Sequence, residues 1–437
     1  MNRTITIFLF VLFADFLLAQ RVMSLRECVI YALEHSLKID VQRADIDDAR
    51  LLRRDAILEA VTPSVSGGTY AYMNFGRSVD PETNTYMSVA SFNNGYSVSG
   101  SIVLFNGFAA VNNIRIAQMG VEMGLTKEEQ LQDEICLAVI EAYCNALYYK
   151  KMRDAVESQV ATARANLTLV EREEELGQKS YADVIQLEAN LADREYQLIL
   201  MENQYRDAKL TLKELMLYPL EEEFDIDSEA LLVAETKAET VEMQHPSLQL
   251  AEWRMQSAKV DLTTARWRFA PSLSLTGGWS TSYYTYPGME GYVAKPFFDQ
   301  MLNNGGEYIQ FSLSVPIYDG LSRYSNIARK KNAMRRVKAE YEQTRREVEL
   351  EIARATQDCE GAKAALEQAD KYALVQSKAY ELSNKKFEQG ILSPTELRTA
   401  SDNYLQAQAE QLNSQLKYFI KTCVVNYYKG NNYINQL

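Results

Sequence analysis

The sequence predicts a mainly helical fold with a small β part, built twice over. Three observations carry this. Only nine prolines occur in 437 residues, with none between Pro81 and Pro219 and none between Pro316 and Pro394, so two stretches suit long unbroken helices. Short segments between those stretches alternate apolar and small polar residues with period two, the pattern of strands. Finally, the chain repeats itself: "RLLRRDAILEAVTPSVSGG" is echoed by "DLTTARWRFAPSLSLTGG", and "YSVSGSIVLFNGFAAVNNIRIA" by "YIQFSLSVPIYDGLSRYSNIA", which marks a duplicated unit.

Taken in order, "MNRTITIFLFVLFADFLLAQ" (residues 1–20) has Arg3, an apolar run and a small residue at Ala19, so it reads as a cleaved export signal. Cys28 lies too far beyond the cleavage region to accept a lipid, and no lipid anchor is expected. The first repeat, 21–217, reads as a helix over Ser24–Ala60, two strands, a long helix over Gly107–Leu176 and a helix over Tyr181–Leu217. The long helix spans about 105 Å by its rise. An acidic linker, 218–243, follows. The second repeat, 244–430, has helices over Pro246–Ala270, Gly320–Gln389 and Pro394–Gly430, and residues 431–437 form a tail. In each half the two short helices together match the long one, so linker and tail fall around the waist. Val184, Leu187, Leu191, Leu198, Met201, Tyr205, Ala208, Leu212 and Leu215 keep a coiled-coil spacing, broken only by Arg194.

Leu273, Leu275, Gly277, Trp279 and Tyr283 alternate with serines and Thr276; Ile309, Phe311, Leu313, Val315 and Ile317 alternate with Gln310, Ser312 and Ser314. Tyr96, Val98, Ile102 and Leu104 do likewise. Apolar and aromatic residues on one side and small polar ones on the other fit membrane barrel strands, with Trp279, Leu273, Leu275, Phe311, Leu313 and Val315 toward lipid. A water-soluble sandwich shows the same alternation, so the rival reading is an exported, adhesin-like coiled-coil protein; the export signal favours the membrane. Four strands cannot close a barrel and eight is the smallest, so several copies must share one. The loops holding Tyr86 and Tyr292, rich in Gly, Asn and Pro, are expected outside the cell.

The turns "ELGQKSYAD" and "EQGILSPTE" recur between the paired helices. Gly177 and Gly390 read as left-handed caps. Ser393-Pro394-Thr395-Glu396 reads as a capping box with proline at the first helical position, and Ser180 to Asp183 as a looser version. A formal charge of −13 argues against nucleic acid. His35 and His245, the two histidines, precede matching helices and read as structural. No catalytic or phosphate-loop motif and no Cys/His metal cluster is found, so neither enzyme nor cofactor is expected. Cys136 and Cys144 lie about 12 Å apart by helix rise, too far for a disulfide, and read as buried free thiols.

The order of these motifs, twice over, resembles the TolC family of outer-membrane efflux channels across residues 24–430. "TPSVSGG" and "APSLSLTGG" open the strands, "LFNGF" and "IYDGL" close them, and the two Gly-x-x-Ser turns follow. The resemblance implies a homotrimer with a twelve-stranded barrel in the outer membrane, continued by a trimeric α-helical barrel through the periplasm. It implies an exit duct for small molecules or proteins, served by a periplasmic adaptor and an inner-membrane pump. It also implies that Glu396, with Asp183 as its counterpart, lines the periplasmic entrance, and that the turns at Gly177, Ser180, Gly390 and Ser393 dock the adaptor. Where the family places a second carboxylate and a basic residue near the second turn, this chain has Thr399 and Leu392. Drug efflux, metal efflux and type I secretion all remain open.

Overall fold

The computed structural model describes residues 21–80, 83–227 and 245–436. The expected export signal and most of the acidic linker lie outside the described residues. Two compact units emerge, and they do not coincide with the repeats. One comprises Ala44–Leu125 and Leu250–Gln343; the other collects the remaining described segments.

The first unit holds the sheet. Strands β2 (Ser64–Asn74), β5 (Ser91–Asn106), β7 (Ser272–Thr285) and β8 (Gly306–Ser314) run antiparallel in the order β2-β5-β7-β8. Both repeats therefore contribute to one sheet, with β2 and β8 as open edges. Between β2 and β5 sits a small hairpin of β3 (Arg77–Val79) and β4 (Tyr86–Ser88). One difference from the alternation concerns Leu104. The β5–β7 register slips between Val103 and Phe105, so a bulge drops Leu104 from the ladder and Phe105 pairs with Leu273 instead.

The motif closing each strand pair has a physical cause. Gly107 and Phe108 both have positive φ (66° and 60°), as do Gly320 and Leu321 (both 67°). This left-handed step turns the chain out of the sheet into long helices α3 (Ala109–Glu175) and α7 (Ser322–Glu388). Asn106 Oδ1 accepts from Ala110 N at 3.2 Å and Asp319 Oδ2 from Arg323 N at 3.1 Å, so each side chain satisfies an orphan donor of the helix it precedes. Gly107 is doubly constrained: a Cβ there would lie 2.4 Å from the Trp267 carbonyl oxygen.

The expected single helix over 24–60 is two. Helix α1 (Leu25–His35) begins with a complete Ser24–Glu27 capping box and breaks at Ser36, whose backbone is extended; α2 (Leu37–Val61) follows. The linker supplies an unforeseen strand, β6 (Phe224–Ile226), parallel to β1 (Arg21–Met23). Met23, Phe224 and Ile226 join Cys28, Ile140, Tyr143, Cys144, Leu212, Phe419, Cys423 and Tyr433 in the main apolar core, so the described start of the linker and Tyr433 of the tail pack into that core. Lys150 clips the linker, donating to Asp225 Oδ2 (2.9 Å) and Ile226 O (2.6 Å). Burial opposes ionisation of Asp225, but donors from Tyr205, Lys150 and the Ile226 amide outweigh it and hold the carboxyl at about 2. Cys136 and Cys144 are buried free thiols. The histidines serve structure: the His35 ring stacks on Tyr31, and His245 stacks on Tyr428 and accepts from Ser247 N at the start of α5 (Pro246–Trp267).

Candidate functional site

The paired turns are built alike. Helix α3 leads through Gly177 into α4 (Tyr181–Met216), and α7 leads through Gly390 into α8 (Pro394–Tyr428). Gly177 and Gly390 take φ of 73° and 70°. Gly177 N donates to Glu174 O and Gln178 N to Glu173 O; Gly390 N donates to Phe387 O and Ile391 N to Lys386 O. Each is thus a Schellman close. The Ser393–Glu396 box is complete, Glu396 Oε2 accepting from Ser393 N (3.0 Å) and Oγ (2.8 Å). The Ser180–Asp183 box, expected to be looser, is complete too, at 3.2 and 2.8 Å.

Glu396 is exposed, and the hydrogen bonds from Ser393, its backbone amide foremost, hold its carboxyl below the usual range. It is therefore charged and fixed in place. Beneath the turns Val170, Val184, Leu187, Phe387 and Leu397 form a small core, with Leu392 packed against it. Leu392 thus braces the second turn by burial.

Farther along α4 and α8, Arg194 is the heptad break. It is 2% exposed, and its guanidinium donates to Asp402 of α8 and to Gln197. Arg398 of α8 donates to Asp193 at 3.0 Å. The break is therefore an interhelical ion pair. A groove of about 440 Å³ lined by Tyr148, Tyr149 and Met201 runs beside Asp402, whose side chain stays 46% exposed. Of the coiled-coil positions, Val184, Leu187, Tyr205, Ala208 and Leu212 are buried, whereas Leu215 is exposed and Met216 takes its place.

On the sheet, Leu273 pairs with Leu313, Leu275 with Phe311 and Ile102 with Leu275, so the expected apolar residues share one face with Trp279. Val315 lies one position past the end of β8. Phe311, Leu313 and Val315 are exposed in the single chain. Serines 64, 66, 97, 99, 101, 280, 312 and 314 alternate with them on the opposite face. At the loop end, the Arg77 guanidinium lies 4.3 Å from the centre of the exposed Tyr86 ring. Tyr292 is half-buried, its ring 4.9 Å from Tyr286. Tyr286 donates to Asp80 at 2.8 Å, which ties the two loops together. A feature not foreseen is a short helix, α6 (Phe297–Asn303), in the second loop.

Among the described residues no group of His, Cys, Asp and Glu could hold a metal, and no helix is long and apolar enough to cross a membrane. The fold is similar to several solved outer-membrane channels. CusC aligns with a TM-score of 0.76 at 14% identity, over 93% of this chain and 91% of that one. VceC from Vibrio cholerae aligns with 0.72 at 14%, over 94% and 96%, and MtrE of Neisseria gonorrhoeae with 0.73 at 16%, over 94% and 90%. A curated relative, the pyoverdine export outer membrane protein OpmQ of Pseudomonas putida, is 22% identical over 292 residues, 64% of this chain. The aligned stretch covers 58% of OpmQ's own length. The match to the outer membrane efflux protein family takes in residues 32–216 and 239–421, that is, most of both repeats, with the four sheet strands and both turns. With the duplicated motifs, the fold and the family match all agreeing, the chain belongs to the outer membrane efflux protein family, whose members are channels of the outer membrane and not enzymes.

Proposed function

We propose that this protein is the outer-membrane duct of a multi-component export system, carrying small molecules or proteins out through the periplasm. A homotrimer supplies twelve strands and a helical tunnel; a periplasmic adaptor and an inner-membrane pump drive transport. The observation that carries this reading is the pair of matched hairpin turns, each pinned by a Schellman close and a full capping box. Rigid, exposed turns of this kind suit a docking end. Gly177, Ser180, Gly390 and Ser393 are the proposed adaptor contacts, and Glu396 with Asp183 the proposed ring at the periplasmic entrance. The exposed Phe311, Leu313 and Val315, with Leu273, Leu275 and Trp279, are the proposed lipid face. Tyr86 and Tyr292 mark the proposed extracellular loops. The domain division into an export signal, two repeats, a linker around the waist and a tail belongs to the same proposal.

Glu396 carries the sharpest test. Carboxylates ringed around a pore attract cations, and glutamine preserves the capping geometry. Purified wild-type protein in planar bilayers is expected to form cation-selective pores, and Glu396→Gln to conduct with reduced selectivity. Pores with unchanged selectivity would make Glu396 a helix cap alone; no pores at all would remove the duct reading.

A further inference from the structure

Helix α6 is folded onto the apolar face of the sheet, at the end where the loops lie. The Phe297 ring meets Tyr96 of β5 at 6.1 Å and Tyr283 of β7 at 5.2 Å. Thr281 Oγ1, on that same face, donates to Met301 O at 2.8 Å. Pairing of β7 with β8 ends at Ser280 and Gly306. Beyond that point α6 takes over the ladder with side-chain amides. Gln300 accepts from Tyr284 N (3.0 Å) and donates to Tyr284 O (3.0 Å), while Asn304 donates to Ser282 O (2.7 Å). A seven-residue helix is thereby fixed rigidly to the sheet.

At about 100° per residue, α6 carries three stripes. Phe297, Gln300 and Met301 face the sheet. Asp299 and Asn303 form a polar exposed stripe. Between these two stripes stand Phe298, 77% exposed, and Leu302, 82% exposed, one turn apart. Protein, water and a third, apolar surrounding are the three environments of a helix lying along a membrane boundary. Its level on the sheet agrees. Leu273 to Trp279 spans about 20 Å along the strand, and a membrane barrel's apolar band is about 25 Å tall, rimmed by aromatic residues. Trp279, Tyr283, Tyr96 and Phe92 supply such a rim, and α6 packs on it.

We infer that α6 is an interfacial lipid anchor, with Phe298 and Leu302 embedded among acyl chains at the outer rim of the barrel and Asp299 and Asn303 in water. This rests on the proposed lipid-facing reading of the sheet, which it extends from the strands to a loop. Phe298→Trp and, separately, Phe311→Trp in the full chain would be reconstituted in phosphatidylcholine vesicles brominated either near the headgroup or near the middle of the acyl chain. The emission added by Phe298→Trp is expected to fall about twofold in the shallow-brominated vesicles and less in the deep ones, with the reverse order for Phe311→Trp. A nitroxide on Leu302→Cys, with the unsubstituted protein as the labelling blank, is expected to collide more with oxygen than with a water-soluble nickel chelate. If Phe311→Trp is quenched while Phe298→Trp is not, and the nitroxide prefers nickel, α6 covers water or a second copy and the inference is overturned. If neither tryptophan is quenched, the lipid-facing reading of the sheet falls as well.

Discussion

Gly107 and Gly320 occupy the same place in the two repeats and share a positive φ, yet only Gly107 faces a backbone carbonyl at 2.4 Å from a built Cβ. Gly320→Ala is therefore expected to cost about 1 kcal/mol for the left-handed backbone alone. Gly107→Ala is expected to cost at least about 2 kcal/mol, because Trp267 must also move. Thermal unfolding in detergent distinguishes the two, and equal losses would contradict the contact. Asp133 offers a different test. Burial, with Glu129 and Glu134 nearby, raises its carboxyl from 3.8 to about 6, although Tyr427 donates to it at 2.8 Å. A raised carboxylate favours the protonated folded state, so its stability is greatest below about pH 4 and is lost as pH rises through about 6. Asp133→Asn keeps an acceptor for Tyr427. It is expected to stabilise by about 1–2 kcal/mol at pH 8, allowing for partial exposure, with no gain at pH 4. A constant gain across that range would place the effect elsewhere. At this scale the sequence was most legible where a rule is local: both glycine caps and the Ser393–Glu396 box were readable. The helix-capping roles of Asn106 and Asp319 were not, because each side chain bonds four positions ahead across a left-handed step.

Between elements, α4 and α8 are held by apolar positions that the heptad spacing reveals and by an ion pair that it does not. Arg194 appears in sequence only as an interruption, since its partner Asp402 stands about two hundred positions away. Removing one partner strands the other. Asp402→Ala leaves a guanidinium buried with Gln197 as its remaining partner, and an expected cost of about 2 kcal/mol allows for the hydration of Asp402. Arg194→Leu restores the heptad and is expected to cost under about 1 kcal/mol. Unfolding midpoints of the two variants test this, and the opposite order would show that the pair is dispensable. Period-two alternation marks β5, β7 and β8 and, least cleanly, β2. It missed the Leu104 bulge, because a bulge shifts register without disturbing composition. Strands β1 and β6 are three residues each, too short to alternate, and are defined only by pairing across most of the first repeat. Helix α6 escaped because seven residues show less than two full apolar turns. The break at Ser36 escaped because no proline or glycine marks it.

For the whole molecule, the decisive feature is an unfinished sheet. Among the described residues the strand order leaves one edge of β2 and one edge of β8 without a partner strand, and β8 is exposed along its length. Lipid supplies no partner for free backbone N–H and C=O groups, so a spanning sheet must close on itself, and four strands are too few. Family membership assigns the chain to the outer membrane, which turns this geometric deficit into a requirement for further copies. Sequence reading reached the same requirement without fixing the number of copies, because strand count per chain does not determine copy number. Membership of the family carries the proposal of three copies around one pore. Native mass measurement of protein extracted in mild detergent tests this most directly. The account predicts a single species at three times the chain's mass, and a monomer or dimer that still conducts in bilayers would contradict it.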